Sequence, residues 1–130
     1  VVPVGGGERS GFPRSRRLTR GIEIRAIVGR GKRSRTAHLD VFVSASPVLH
    51  ARAGVVVPRH GRRIVDQNRL KRRLREILRL HVLPRLDAAG LCVDVLARAR
   101  REAYEATFDE LKHELAGWME DEWPRGSSSA

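Results

Sequence analysis

The chain has one cysteine, few aromatic residues and no long apolar run, and each shortage excludes a class of protein. A single cysteine among 130 residues rules out a disulfide framework and suits a reducing, cytoplasmic location. No stretch approaches the roughly 18 consecutive apolar residues that a bilayer-spanning helix needs. Aromatic residues make up 5% of the chain, so its basic segments lack the Trp- and Phe-rich face of an interfacial anchor. We therefore expect no membrane partner.

Acidic residues are scarce over the first two thirds of the chain. Lys and Arg number 26 against 15 Asp and Glu, which gives a formal net charge of +11. Between Arg14 and Arg35 the only acid is Glu23, whereas the C-terminal part is rich in acids. Most of the cations are Arg, which favours bidentate contacts with phosphate. We therefore expect nucleic acid as the partner, bound by the first two thirds of the chain.

The residue types that carry hydrolytic chemistry do not form a recognisable set. The five histidines do not have the spacing of zinc ligands. Cys92 lies in a predicted strand without a neighbouring base, so we expect its side chain to be buried in the core. Asp40 and Asp94 are the candidates for a Mg²⁺ site in a protein nuclease, but such sites need several converging carboxylates. Asp40 is instead expected to be exposed and Asp94 hydrogen bonded or at an edge. We predict no catalytic residue and no metal site on the protein.

A capped amphipathic helix with a dense row of cations is predicted from Asp66 to Leu83. Its N-cap would be Asp66 and its stop Pro84. At 3.6 residues per turn, one arc is mainly apolar and carries Leu70, Leu74, Ile77, Leu78 and His81. The rest of the circumference carries Arg69, Lys71, Arg72, Arg73, Arg75 and Arg79. Like charges at this spacing repel by about a few tenths of a kcal/mol per pair. A polyanion-binding face is therefore favoured over a merely solvated one.

The other patterns predict a small sheet and two further helices. The predicted elements are a helix from Arg16 to Val28, strands from His38 to Ser44, from Ala53 to Val57 (central) and from Leu91 to Ala97, and a last helix from Thr107. That last helix opens on a capping box and has a buried stripe of Phe108, Leu111, Leu115 and Trp118. The predicted fold is an α/β (α+β) two-layer sandwich with helices covering one face of a mixed sheet. Its order is α-β-β-β-α-β-α, which has one strand more before the basic helix than these patterns locate.

Asn68-Arg69-Leu70-Lys71-Arg72 on the middle helix, in this order of elements, resembles the bacterial ribonuclease P protein subunit. The similarity runs from about Leu18 to Trp118. Further matches to the family pattern are Arg52-Ala53-Gly54, Val55 to Val57, Arg59-His60, Val95-Leu96-Ala97-Arg98 and Thr107-Phe108-Asp109-Glu110. The chain departs from the pattern at Gln67, where the family has Arg, at Arg62, usually Gly, and at Ile24 and Val28, commonly Phe. We identify the chain as a divergent member.

The resemblance implies an accessory subunit of an endoribonuclease in which RNA is the catalyst. The protein would help the RNA subunit to remove the 5′ leader of precursor tRNA, with Mg²⁺ at the RNA and a monomeric protein in the complex. The family fold also implies a left-handed βαβ crossover, against the usual hand. The RNA-binding domain would span residues 14–120, between mobile segments at 1–13 and 121–130.

The resemblance also implies two sets of contact residues. The set that binds the RNA subunit is Gln67, Asn68, Arg69, Lys71, Arg72, Arg73, Arg75, Arg79, Arg52, Arg59, His60 and Arg63. The cleft that holds the leader is formed by Ile24, Val28, Phe42 and Arg98.

Two other functions stay open. A general basic RNA-binding module, similar to a ribosomal protein and without a role in cleavage, needs phosphate contacts only, whereas a leader-binding subunit also needs an apolar and aromatic groove. A helix-turn-helix DNA reader is less favoured, because strands flank the basic helix on both sides. Phe42 lies on the strand face opposite Leu39, Val41 and Val43, where it is a candidate stacking platform. The alternative is that Phe42 is core beneath the first helix.

Overall fold

The computed structural model describes residues 13–124, so residues 1–12 and 125–130, within the segments predicted to be mobile, lie outside the described residues. The described elements are a 3₁₀ turn (Arg14–Arg16), α1 (Gly21–Arg30), β1 (Lys32–Arg35), β2 (Leu39–Ala45), β3 (Arg52–Val56), α2 (Ile64–Ile77), a π-helical turn (Leu78–Val82), α3 (Leu83–Ala88), β4 (Val93–Ala99), a 3₁₀ helix (Arg101–Glu105) and α4 (Phe108–Glu122). Over these residues, no helix has the length and apolar character needed to cross a membrane.

The four strands form one mixed sheet in the order β1-β2-β4-β3. β2 pairs antiparallel with β1 and β4, while β3 and β4 are parallel and have α2 between them in the chain. The predicted α+β class is therefore confirmed, and the hand of the crossover stays a prediction. β3 lies at an edge, so its prediction as a central strand is wrong. The N-terminal segment covers that edge, because the Leu18 N–H donates to the Ala53 carbonyl at 2.8 Å.

Both faces of the sheet are covered, as the alternation along β2 requires. Leu39 and Val41 are fully buried in the main core, which includes Leu70, Leu74 and Ile77 of α2 and Leu111, Leu115 and Trp118 of α4. On the other face, Phe42 and Leu96 pack with Leu18 and Ile27. Ile27 belongs to α1, so the prediction of helices on one face only is wrong. α1 and the segment before it thus shield the Phe42 ring from solvent on the second face.

The basic helix begins earlier than predicted. α2 starts at Ile64 with Arg63 as its N-cap, and no side chain caps it. Asp66 lies inside the first turn, where its carboxylate accepts a hydrogen bond from Arg63 Nε at 3.2 Å. The prediction of Asp66 as the N-cap is therefore wrong, although an acid in the first turn still suits the helix dipole.

The helical path also continues past the predicted stop. Pro84 lies in the first turn of α3, directly after the π-helical turn. A proline inside a continuous helical path lacks a backbone donor and crowds the preceding turn, and here the wider π-helical turn directly precedes it. The predicted apolar arc of α2 is confirmed, since Leu70, Leu74, Ile77 and Leu78 are buried. His81 is exposed, so its place on that arc is wrong.

The predicted start of the last helix is confirmed, whereas the predicted start of the first helix is not. The capping box at α4 is confirmed, since Thr107 Oγ1 accepts from the Glu110 N–H at 3.1 Å and Glu110 Oε1 accepts from the Thr107 N–H at 2.8 Å. α1 starts at Gly21 instead of Arg16, because the residues before it run along β3. Cys92 is exposed and precedes β4, so its predicted burial is wrong.

Candidate nucleic-acid interface

α2 presents its cations to a groove along its outer face. Leu70 and Leu74 are buried against the sheet, which fixes the rotation of the helix and turns the basic arc outward. The groove has a volume of about 610 Å³ and is lined by Arg17, Asn68, Lys71, Arg72, Arg75, Glu76 and Arg79. Within residues 13–124, no carboxylate forms an ion pair with Arg17, Lys71, Arg72 or Arg75. We call these four the groove cations.

The one acid in the groove is neutralised from within the helix. Arg79 Nε lies 2.9 Å from Glu76 Oε1, and Arg79 Nη2 lies 3.0 Å from Oε2. This hydrogen bonding from Arg79 holds the pKa of Glu76 below its ordinary value, so the carboxylate is ionised at neutral pH. Arg79 is therefore committed to a protein partner, and the groove keeps a net positive charge.

Arg17 is a groove residue that sequence reasoning missed. It reaches α2 because its backbone forms a parallel bridge with Ala53 at the edge of β3. Its Nε is buried and has no hydrogen-bond partner in the described part of the chain. No local pattern signals this placement, since it depends on a pairing between two distant segments.

Several predicted contact residues are engaged with the protein instead. Gln67 Nε2 donates to the Val57 carbonyl at 2.7 Å, and Arg73 Nη1 donates to the Ala106 carbonyl at 3.1 Å. Both side chains therefore fix α2 to its surroundings. Gln67 stands where the resemblance expected Arg, and its amide gives that position a neutral hydrogen bond to the end of the β3 segment.

Arg52, another predicted RNA contact, is engaged with two elements of the protein. Its side chain is 11% exposed and lies between two carboxylates. Nε and Nη2 donate to Asp94 at 3.0 and 2.8 Å, and Nη1 donates to Glu23 at 3.0 Å. The hydrogen bond with Asp94 raises the pKa of Arg52 above its ordinary value. Arg52 therefore joins α1 to the sheet, and its direct contact with RNA stays a prediction.

The turn before α2 and the first half of α2 carry the remaining predicted contacts. His60 and Gly61 have φ angles of 50° and 79°. Gly61 therefore supplies, one residue earlier, the left-handed conformation that glycine would give at the position of Arg62 in the family pattern. Arg62 stacks 5.0 Å over the ring of Tyr104 and pairs with Glu105. His60, Arg59 and Arg63 are exposed on this turn, as are Asn68 and Arg69 on α2.

A second surface lies where α1 meets the sheet, and it brings together all four residues predicted for the leader cleft. Ile24 and Val28 of α1 are half-buried against the cluster that contains Phe42. The Arg98 guanidinium lies 5.0 Å from the centroid of the Phe42 ring. Phe42 is only 2% exposed, so its prediction as an open stacking platform is wrong and the core alternative holds. The ring forms the floor beneath Arg98 and α1.

The two strand carboxylates lie apart from each other. Asp40 faces Arg98 in the register of β2 with β4, whereas Asp94 faces Ser44 near the other end of the same pair. Asp40 is 4% exposed, so its predicted exposure is wrong, and Asp94 is hydrogen bonded as predicted. Among residues 13–124, no three His, Cys, Asp or Glu side chains come together in a group that fits a metal ion.

Comparisons with known proteins agree with this architecture. The chain is 39% identical over 100 residues to the ribonuclease P protein component of Desulfovibrio desulfuricans, with 75% of this chain and 74% of that protein covered. It is 34% identical over 108 residues to that of Acidothermus cellulolyticus, with 80% and 85% covered.

Solved structures share the fold at lower identity. The Staphylococcus aureus RNase P protein aligns with a TM-score of 0.71 at 20% identity, covering 83% of this chain and 95% of that one. The Thermotoga maritima RNase P protein aligns with a TM-score of 0.66 at 22% identity, covering 81% and 96%. The sequence profile described as Ribonuclease P matches residues 12–122. The chain belongs to the ribonuclease P protein family.

Proposed function

We propose that this chain is the RNA-binding protein subunit of ribonuclease P, an accessory subunit that assists the catalytic RNA in removing the 5′ leader from precursor tRNA. The observation that carries the proposal is the groove on α2, where Arg17, Lys71, Arg72 and Arg75 have no acidic partner among the described residues. Clustered cations that the fold leaves unneutralised favour a polyanion, and Arg in particular favours phosphate. This surface would bind the RNA subunit.

The cleft between α1 and the sheet would hold the leader. Ile24 and Val28 supply an apolar wall, and Arg98 supplies a cation above the buried Phe42 ring. Single-stranded RNA is bound by such combinations of apolar contact and positive charge. A general RNA-binding module would need the groove cations but not this cleft, so the cleft favours the leader-binding role.

Consecutive residues of the segment along β3 contribute to both surfaces, which supports their use on one RNA assembly. Arg17 lines the groove, and the next residue, Leu18, belongs to the cluster beneath the cleft. The leader of a precursor tRNA held by an RNA subunit in the groove would therefore lie close to the cleft. The proposal also places the protein in the cytoplasm, as a monomer in the complex.

The proposal assigns bond cleavage to the RNA subunit and its Mg²⁺ ions, and charge neutralisation and positioning to the protein. Phosphate charge repels a second RNA, so cations between the two RNAs lower the Mg²⁺ concentration that assembly needs. Positioning of the leader contributes through the geometry of the bound substrate. The protein thus acts on binding and on the site of cleavage.

Reconstitution tests the proposal. The protein and the ribonuclease P RNA of one organism are mixed with precursor tRNA at low Mg²⁺, and the products are mapped at single-nucleotide resolution. We expect cleavage at a single 5′ site with both subunits present and none with the protein alone. Binding of structured RNA without stimulation of cleavage would favour the general RNA-binding module. Site-specific cleavage by RNA-free protein, abolished in Asp94→Asn, would replace the proposal with a protein nuclease.

A further inference from the structure

Strand register places a row of charged side chains on the face of the sheet that carries the cleft. Residues directly opposite each other in an antiparallel pair point to the same face. Arg33 of β1 lies opposite Phe42, and Asp40 of β2 lies opposite Arg98 of β4. Since Phe42 and Asp40 are two residues apart on β2, all four side chains share the face that α1 partly covers.

Asp40 lies beneath two guanidinium groups and contacts both. Its side chain is 5% exposed, and Oδ2 accepts a hydrogen bond from Arg98 Nη2 at 3.2 Å. Oδ1 forms an ion pair with Arg33 Nη2 at 3.3 Å and has no hydrogen-bond partner among the described residues. The side chains of Arg33 and Arg98 are 52% and 31% exposed. A buried carboxylate thus joins two cations that both reach solvent, and each of its oxygens faces a different one.

Both guanidinium groups keep hydrogen-bonding capacity. A guanidinium has five N–H donors, and within the described residues Asp40 is the only acid that pairs with Arg33 or Arg98. Arg98 is further fixed by its position over the Phe42 ring. The three charges sum to a net positive charge, and both cations lie within 3.3 Å of the same carboxylate.

We propose that Asp40 is a positioning residue that holds Arg33 and Arg98 as a clamp for one backbone phosphate of single-stranded RNA. The clamp extends the cleft from β4 across β2 to β1, so the RNA strand would run from the α1 wall toward the edge of the sheet. This inference rests on the proposed function, because it takes the 5′ leader as the occupant. Its new content is the role of Arg33 and of the buried acid.

Arg33→Ala tests the clamp without a large risk to folding, because the side chain is half exposed. The variant is assembled with the RNA subunit, and its affinity is measured for precursor tRNA with a leader and for leaderless tRNA. We expect about a tenfold loss for the leader-bearing substrate, the size of one charge-assisted contact, and little change for leaderless tRNA. Lys112→Ala is the control, since it removes the same charge from α4 on the opposite face.

Asp40→Asn separates positioning from bulk charge. The substitution makes the protein one charge more positive, so unspecific attraction alone predicts tighter binding of both substrates. A lost clamp predicts the opposite for the leader-bearing substrate only, as a higher KM with kcat retained. Thermal melting of the variant checks the fold, and Arg33→Ala decides the question if Asp40→Asn does not fold.

The results distinguish the clamp from the function on which it rests. Tighter binding of both substrates by Asp40→Asn, or a leader effect in Arg33→Ala no larger than in Lys112→Ala, would overturn the clamp while the leader cleft stands. A wild-type holoenzyme that binds both substrates equally would overturn the leader cleft itself. Selective loss in both variants, with Lys112→Ala unchanged, would establish the clamp.

Discussion

Removal of one groove cation should change the salt dependence of RNA binding by a calculable amount. Arg72 is exposed on α2, lines the groove and has no acidic partner in the described part of the chain. If it contacts a phosphate of the RNA subunit, that contact displaces condensed counterions, and their release is weaker when the bulk salt concentration is high. Arg72→Ala should therefore bind more weakly and also less salt-dependently.

The structure sets the size of the effect. With about −0.9 in the log–log slope for each neutralised phosphate, the four groove cations give a slope of about −3.6. A fourfold rise in salt then weakens wild-type binding about 150-fold, whereas Arg72→Ala, at a slope of about −2.7, loses about 40-fold. At fixed low salt the variant should also lose about 1.5–3 kcal/mol, the range for a hydrogen bond to a charged group.

Equilibrium binding of labelled RNA subunit, measured over a salt series, gives the slope directly. Arg85→Ala is the matched control, because it removes an Arg whose Nη2 lies 2.6 Å from Glu120 on α4. That cation already has a protein partner, so its removal should leave the slope unchanged within about 0.3. An unchanged slope in Arg72→Ala, or an equal decrease in Arg85→Ala, would refute the assignment of the groove as the RNA contact.

Structural features that depend on residues close together in the sequence could be predicted from it. The phase of α2 follows from the spacing of Leu70, Leu74 and Ile77, and burial of that arc turns the basic arc outward whatever else the chain does. The capping box of α4 was predictable for the same reason, since Thr107 and Glu110 satisfy each other's backbone within one turn. Local periodicity therefore located the helix that carries the proposed RNA surface.

Features that depend on distant partners were not predictable. No residue near Arg52 in the sequence indicates that Asp94 and Glu23 neutralise its charge. The motif match therefore predicts an RNA contact for a cation that has two acidic partners within the protein. Likewise, the start of α1 depends on the hydrogen bond between Leu18 and Ala53, which holds the preceding residues extended. The sequence shows how many cations the chain has, but only the folded structure shows which of them lack an acidic partner.

The remaining predictions separate stability from catalysis. Leu74→Ala should cost about 2–5 kcal/mol of unfolding free energy because its side chain is fully buried, while Leu80→Ala, at a 46% exposed position, should cost under about 1 kcal/mol in the same denaturation assay. Thr107→Ala should cost about 0.5–2 kcal/mol through the lost cap, and an unchanged midpoint would contradict the capping box. Asp94→Asn removes the charge that Arg52 contacts through two nitrogens, so unfolding free energy should fall by about 1–3 kcal/mol. Because that carboxylate is a structural partner and the proposed catalyst is RNA, the same variant, assayed with the RNA subunit below its melting temperature, should still cleave precursor tRNA at the wild-type site. Lost cleavage with an unchanged melting temperature would instead place Asp94 in the chemistry.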